Sequence, residues 1–152
     1  MIISGQKLKF DYPKSIQPML DRTIHETGLS YGLSGAGYDV RVKQGLVLPP
    51  HGFSLASTVE YFEIPNDLIA VLHDKSTMAR KGLSVFNTVL ENGWCGWLTL
   101  ELANKSDKHL RIEAGQPIGQ LLFHRIEGYA APYSGKYQGQ PDRPVEAIYE
   151  GK

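Results

Sequence analysis

The sequence predicts an all-β domain of the sandwich or barrel class with one short helix. Three observations carry this. From Tyr38 onward, turn residues recur about every 8–12 residues, the spacing of short antiparallel strands. Trp97-Leu98-Thr99-Leu100-Glu101-Leu102 alternates apolar and other residues with period two, the mark of a half-buried strand. Asp74 to Gly82 alone breaks the β pattern, with helix signals.

The elements follow in order. Ile16 to Ile24 reads as a short helix or an extended arm, and Gly32 to Gly37 as a loop. Tyr38-Asp39-Val40-Arg41-Val42 alternates like a strand. Leu46-Val47-Leu48 stops at Pro49-Pro50, and Phe53 to Phe62 is rich in aromatic and β-branched residues and ends near Pro65. Leu68 to Leu72 is a continuous apolar run, as in a fully buried strand. Asp74 offers an N-cap, Met78 and Ala79 favour helix, Arg80 and Lys81 suit a C-terminus, and Gly82 ends it. Ser84 to Leu90 and Trp97 to Ala103 flank a Gly-containing turn. Leu110 to Ile112 and Ile118 to Ile126 complete the strands. Residues 1–128 are therefore expected to form a single β domain with an N-terminal arm. Residues 129–152, rich in Gly, Pro, Tyr and Gln, read as an extended tail, ordered only by lying on something.

The totals limit the function classes. The chain has 152 residues, enough to bury roughly 68–70% of its unfolded surface without covalent staples. Sixteen Lys and Arg balance sixteen Asp and Glu, so no basic field exists for long nucleic acid. The single cysteine, Cys95, can form no intrachain disulfide, and no paired-cysteine zinc spacing occurs. No apolar run approaches the ~20 residues of a membrane span, and the first residues do not read as a signal peptide. These features predict a cytoplasmic protein without membrane partners.

Two local features suggest a site. If Leu98, Leu100 and Leu102 face a core, Trp97, Thr99 and Glu101 share the opposite face. A strand carboxylate beside a large aromatic suits a site; the competing reading is an exposed surface glutamate. The predicted helix offers free backbone N–H groups at its start, with Lys75, Ser76 and Arg80 close by, which suits an anion. The competing reading is a capped connector with surface cations.

Four ordered stretches resemble motifs of the dUTPase and dCTP deaminase superfamily. They are Gly35-Ala36-Gly37-Tyr38-Asp39-Val40-Arg41, Lys75-Ser76-Thr77-Met78-Ala79-Arg80-Lys81-Gly82-Leu83, Val89-Leu90-Glu91-Asn92-Gly93-Trp94-Cys95-Gly96 and Gly115-Gln116-Pro117-Ile118-Gly119-Gln120-Leu121. The resemblance implies a distorted jelly-roll or β-barrel-like dUTPase fold. It also implies a homotrimer with active sites between subunits, and a deoxynucleoside triphosphate that carries Mg²⁺. Thr99-Leu100-Glu101-Leu102 and the tail Pro132-Tyr133-Ser134-Gly135-Lys136-Tyr137-Gln138-Gly139-Gln140 are similar to the deaminase branch. The Gly-rich fifth motif of dUTPases is missing. Departures from the pattern bear on base specificity. The hairpin Ser84 to Leu90 is short, Lys75 replaces an Arg with a point charge, Glu91 stands for Asp, and Asn92 stands for Pro.

In this reading the leading function is dCTP deaminase, converting dCTP and water to dUTP and ammonia. The chain lacks the Pro-Cys-x-x-Cys half of the zinc deaminase signature, so the proton work falls to a side chain. Glu101 is the candidate, with Trp94 and Trp97 expected to keep water away from it and Arg80 to steady the attacking water. The runners-up are a dUTPase, with Glu91 activating water, or one protein doing both steps. A nucleotide-binding regulator without catalysis is a further alternative, as is a structural module. Glu91 alternatively holds the sugar 3′-hydroxyl. Trp94 matches an aromatic under the deoxyribose, and Thr88 lies in the hairpin that reads the base. Lys75, Ser76, Arg80, Gln120, Lys136 and Gln140, assisted by Tyr133, are expected on the phosphates. Asp39 and Arg41 are expected to pair in support of the fold.

Overall fold

The computed structural model describes residues 1–151. The N-terminal arm holds helix α1 (Gly5–Asp11), which the sequence reading did not anticipate. Ser4 caps it, its Oγ accepting from Lys7 N at 3.2 Å, and Leu8 anchors it in the core. Its apolar signal is one residue deep, too short for a periodicity to show. The Ile16 to Ile24 segment is an extended arm, with short strands β1 (Ile16–Gln17) and β2 (Thr23–Ile24).

The remaining strands are β3 (Ser30–Leu33), β4 (Tyr38–Arg41), β5 (Leu46–Leu48), β6 (Phe53–Glu63) and β7 (Leu68–Asp74). Helix α2 (Ser76–Ala79) follows, and then β8 (Leu83–Val85), β9 (Val89–Leu90), β10 (Cys95–Asn104), β11 (Leu110–Ile112) and β12 (Pro117–Arg125). They form a six-stranded sheet ordered β2-β3-β4-β12-β7-β9, a four-stranded sheet ordered β1-β6-β10-β8, and the pair β11-β5. Every named pairing is antiparallel. This is the all-β architecture that the turn spacing predicts.

One hydrophobic cluster joins the sheets. Tyr38, Val40, Leu72, Leu121 and Phe123 meet Ile16, Ala56, Phe62, Leu100 and Leu102, all of them 0% exposed. A fully buried aromatic or aliphatic side chain contributes about 1.5–3 kcal/mol, so this cluster dominates the fold. An isolated bridge from Val42 to Thr58 links the sheets where β6 leaves its regular register with β10. There Thr58 Oγ1 takes the Leu98 N–H at 3.0 Å. β7 differs from the continuous run expected of it. Leu68, Ala70 and Leu72 are buried, while Ile69 and Val71 are only half-covered, so the strand has one core face.

α2 is also shorter than the predicted helix, a single turn. Asp74 does not cap it, because its Oδ1 accepts from Val85 N at 2.8 Å and ties the end of β7 to β8. Lys75 occupies the cap position without a side-chain cap bond.

Candidate active site

β10 positions the site. Leu100 and Leu102 are wholly buried, which turns Thr99 and Glu101 to the other face. There Glu101 lines a cavity of about 330 Å³ with Phe53, Leu55, Thr88, Thr99, Tyr137 and Gln140 among its neighbours. Glu101 Oε2 is buried and lacks a hydrogen-bond partner, the one such side-chain oxygen or nitrogen among the described residues. Such an atom costs about 1–3 kcal/mol, more when charged, so it marks a place where a ligand group completes the bonding. Burial pushes the carboxyl above the ordinary glutamate range, partly offset by a hydrogen bond from its own backbone N–H.

The shielding of Glu101 differs from the sequence expectation. Trp97 does not line this cavity; it packs edge-on against Tyr61, with ring centres 4.7 Å apart. Trp94 lines only the neighbouring cavity of about 170 Å³, with Glu91, Tyr133 and Val89. The walls beside Glu101 are Phe53, Leu55 and Tyr137, which come from β6 and the tail. Strand periodicity names the face of Glu101 but not the element lying opposite it. The two cavities share Thr88, Leu98, Tyr137 and Gln140, so they form one cleft. Glu101 stands toward one end, and Trp94 with the exposed Glu91 toward the other.

The tail lies on β10 of its own chain. β8 pairs only with Leu102 to Asn104, which leaves the edge at Cys95 to Thr99 open. Gln140 bridges Gly96 in parallel there, and its carbonyl accepts from Trp97 N at 3.2 Å. Gly139 N donates to Cys95 O, and Trp94 Nε1 donates to Tyr137 O at 2.7 Å. Asn92 Nδ2 donates to Ala131 O at 3.1 Å. Gly96 has φ +141°, and a Cβ on it would fall 2.6 Å from Gln140 N, so only glycine admits the tail this close. Gln140 Oε1 is held by Thr99, through its N–H at 3.1 Å and its hydroxyl at 2.8 Å. Tyr133 OH accepts from Tyr137 N at 3.2 Å. Lys136 is exposed, 5.5 Å above the Tyr137 ring.

The other predicted phosphate residues sit elsewhere. Lys75, Ser76, Arg80 and Gln120 line neither cavity of the cleft within this chain. Lys75 pairs with Asp39, Nζ to Oδ2 at 2.6 Å, and Gln120 Nε2 donates to Ser34 Oγ at 3.3 Å. Ser76 and Arg80 are exposed on α2 and its end. Asp39 and Arg41 do not pair with each other, since Arg41 Nε binds the buried Glu60 Oε1 at 2.8 Å. Residues two apart on a strand share a face, but each of these charges is already taken, Asp39 by Lys75 and Arg41 by Glu60. Burial pushes the Glu60 carboxyl up, and Arg41 opposes that. A shallower hollow of about 440 Å³ lies by Tyr12, Ser15 and Ile64; the Tyr12 hydroxyl there is already bound to Asp67.

Sequence reasoning put Thr99 on the Glu101 face without giving it a role, and it missed Phe53, Leu55 and Val145 to Ala147 as parts of the cleft. The place of Thr99 was legible, two residues from Glu101 on the same strand face. The others depend on which strand and which tail segment lie opposite, a long-range fact.

Curled antiparallel sheets with a carboxylate cleft under a strapped tail make this a small β protein, and its fold is that of the dUTPases. The similarity to known proteins is more specific than that. A family model described as dCTP deaminase-like matches residues 33–126, and the chain belongs to that family. The dCTP deaminase of Anaplasma phagocytophilum is 36% identical, over 88% of this chain and 90% of its own. That of Herpetosiphon aurantiacus is 34% identical, over 82% and 86%. Among solved structures, the EIAV dUTPase superposes with TM-score 0.60 at 17% identity, covering 82% of this chain and 98% of its own. A variant dUTPase from Staphylococcus aureus phage phi11, described with a structural Mg(II) ion, gives 0.59 at 16% identity, covering 80% and 95%. At these identities the two structures share the fold alone.

Proposed function

We propose that the protein is a dCTP deaminase that uses Glu101 in place of a metal-bound water. The observation that carries this is the partnerless, buried Glu101 Oε2 in a cleft made of two adjoining cavities of about 330 and 170 Å³. A cytosine ring stacked along Phe53 and Leu55 brings N3 and the 4-amino group to that oxygen. Burial raises the proton affinity of the carboxyl, which favours the acid form that the first step needs. Protonated Glu101 gives its proton to N3 as water adds at C4, and it takes one back from the added water. It then passes that proton to the amino nitrogen. The C4–N bond breaks, ammonia leaves, and the carboxyl recovers a proton from the C4 hydroxyl. The ring keeps N3–H and C4=O, which is dUTP.

At the other end of the cleft, Trp94 lies under the deoxyribose and Glu91 accepts from the 3′-hydroxyl. Tyr133 and Lys136 stand where the tail meets the triphosphate. Ser76, Arg80 and Gln120 reach a cleft only from a neighbouring copy, in the homotrimer that the family resemblance implies. Ser76 and Arg80 are exposed and Gln120 is half-buried, all away from the cleft of their own chain, which fits that role. Among the described residues, no group of three or more His, Cys, Asp or Glu is placed to hold a metal ion. Mg²⁺ would arrive with the triphosphate, as the family resemblance implies, and would offset its charge. No helix of the described chain is long and apolar enough to cross a membrane.

The test supplies Mg²⁺ with dCTP or dUTP and follows ammonia and pyrophosphate together. Ammonia from dCTP alone supports the proposal. Pyrophosphate from dUTP alone makes the protein a dUTPase, both products make it bifunctional, and tight binding without turnover makes it a regulator.

A further inference from the structure

One hydroxyl ties the tail at two points, and it lies two residues from Glu101. Thr99 Oγ1 donates to Gln140 Oε1 at 2.8 Å and accepts from Val145 N at 3.0 Å. The Thr99 N–H adds a third bond, to the same Gln140 oxygen, at 3.1 Å. The side chain is 5% exposed, and its hydroxyl both donates and accepts. The chain between those points, and the residues just after it, form a wall of the Glu101 cavity: Gln140, Val145, Glu146 and Ala147 all line it. Asp142, within the segment, also pairs with Lys43 on the exposed side, and beyond it Ile148 N donates to Tyr137 OH, itself a tail residue.

We infer that Thr99 is the positioning residue of the active site, its hydroxyl fixing Gln140 to Ala147 as the wall that excludes water from Glu101. This rests on the deaminase reading for its role in turnover, but not for its geometry. Thr99 touches no reacting atom; it acts through where it holds the tail. Gln140, expected from the resemblance on the phosphates, is in this arrangement part of the latch. Besides Glu101, the titratable groups lining the cavity are Glu146 and Tyr137, both from the tail. A loosened tail therefore removes apolar cover and also changes the charge facing Glu101.

The test is Thr99→Val, which keeps the shape and deletes the hydroxyl, with Thr99→Ser as the conservative rescue. A second variant, Val145→Pro, deletes the donor from the tail side and leaves β10 intact. Loss of both bonds to the hydroxyl predicts a KM for dCTP roughly tenfold or more higher in Thr99→Val. The kcat/KM profile should begin its decline with rising pH at a lower pH, because a wetter Glu101 gives up its proton sooner. Two readouts need no turnover: protease cleavage of the tail, and titration of the Glu101 carboxyl followed by carbon NMR against Glu101→Gln. Both should shift in Thr99→Val and Val145→Pro, and Thr99→Ser should restore them. A Glu146→Gln control separates the effect of tail charge from that of water. Unchanged tail cleavage and unchanged Glu101 titration in both deletion variants overturn the inference. If the wild type releases no ammonia but these readouts shift, the deaminase reading fails and the latch stands.

Discussion

Lys75 Nζ and Asp39 Oδ2 lie 2.6 Å apart, and their side chains are only 12% and 11% exposed. Lys75 leads into α2, while Asp39 sits on β4 opposite Gln120 of β12. The lysine is therefore neutralised within the chain, and a phosphate approaching it meets an ion pair. Breaking a buried pair strands one charge, at a cost of about 3–5 kcal/mol, whereas removing both charges costs far less. Lys75→Met should accordingly lower stability in urea by about 3 kcal/mol, and adding Asp39→Asn should recover most of it. If Lys75 also grips the triphosphate, the double variant regains stability without regaining nucleotide affinity by calorimetry.

Glu101→Gln keeps the shape of the side chain and deletes its proton chemistry. Ammonia release from dCTP should fall by about a hundredfold or more, the usual worth of a positioned acid–base group. Binding of dCTP should persist, since the amide still offers an oxygen and an N–H₂ to the ring. Turnover retained near the wild-type rate would remove Glu101 from the reaction.

Much of this fold is legible in the sequence because strand periodicity is local. Alternation from Trp97 to Leu102 fixes which face Glu101 takes, and the structure puts Leu100 and Leu102 in the core as that pattern requires. Turn residues likewise mark the strand ends, since Gly and Pro act through their own backbone. What the sequence hides is partner choice. Nothing local tells Asp39 to meet Lys75, Trp97 to pack on Tyr61, or Phe53 to stand beside Glu101. The short helix is a related failure. Asp74 looks like a cap by residue type, but a competing donor, Val85 N, claims its carboxylate once β8 is in place.

Removing the chain from Tyr129 onward should leave the β domain folded, because among the described residues the core cluster draws no fully buried one from the tail. It strips Tyr137 O from Trp94 Nε1 and Gln140 from the edge of β10. A modest stability loss, about 1–3 kcal/mol, follows from those unsatisfied groups. Triphosphate affinity should drop far more steeply than that. Calorimetry with circular dichroism on the same sample separates the two, and undiminished affinity would defeat the proposed role of the tail.

Gly96→Ala is the point version of that truncation. The added Cβ would lie 2.6 Å from Gln140 N, a backbone atom that cannot rotate away. The strand itself keeps its pairing with Phe62 of β6. The expected result is a tail more readily cut by protease and weaker dCTP binding, with the thermal transition of the β domain broadly kept. An unaltered cleavage pattern would show that the edge of β10 tolerates the tail at a greater distance.

The Glu101 carboxyl also predicts how stability depends on pH. Burial raises its proton affinity in the folded protein, while in the unfolded chain it titrates in the ordinary range. Below that ordinary range both states hold the proton, so the group contributes no penalty. As pH rises, the unfolded chain releases its proton first, and folding loses stability until the folded carboxyl ionises too. Glutamine carries no such linkage. Glu101→Gln should therefore match the wild type in acid and become progressively more stable than it toward neutrality, levelling off above the folded titration. Glu60 has the same direction of shift, but it is present in both proteins and cancels in the comparison. Thermal unfolding of the two proteins across pH 3.5–8 reads this difference directly, with the linkage of folding to proton uptake setting the window. A gain at neutral pH together with lost turnover would mean that the carboxyl is kept at a cost to the fold, as expected of a group held for chemistry. A constant difference at all pH values would place Glu101 in contact with bulk water and remove the dry cleft on which the reaction depends.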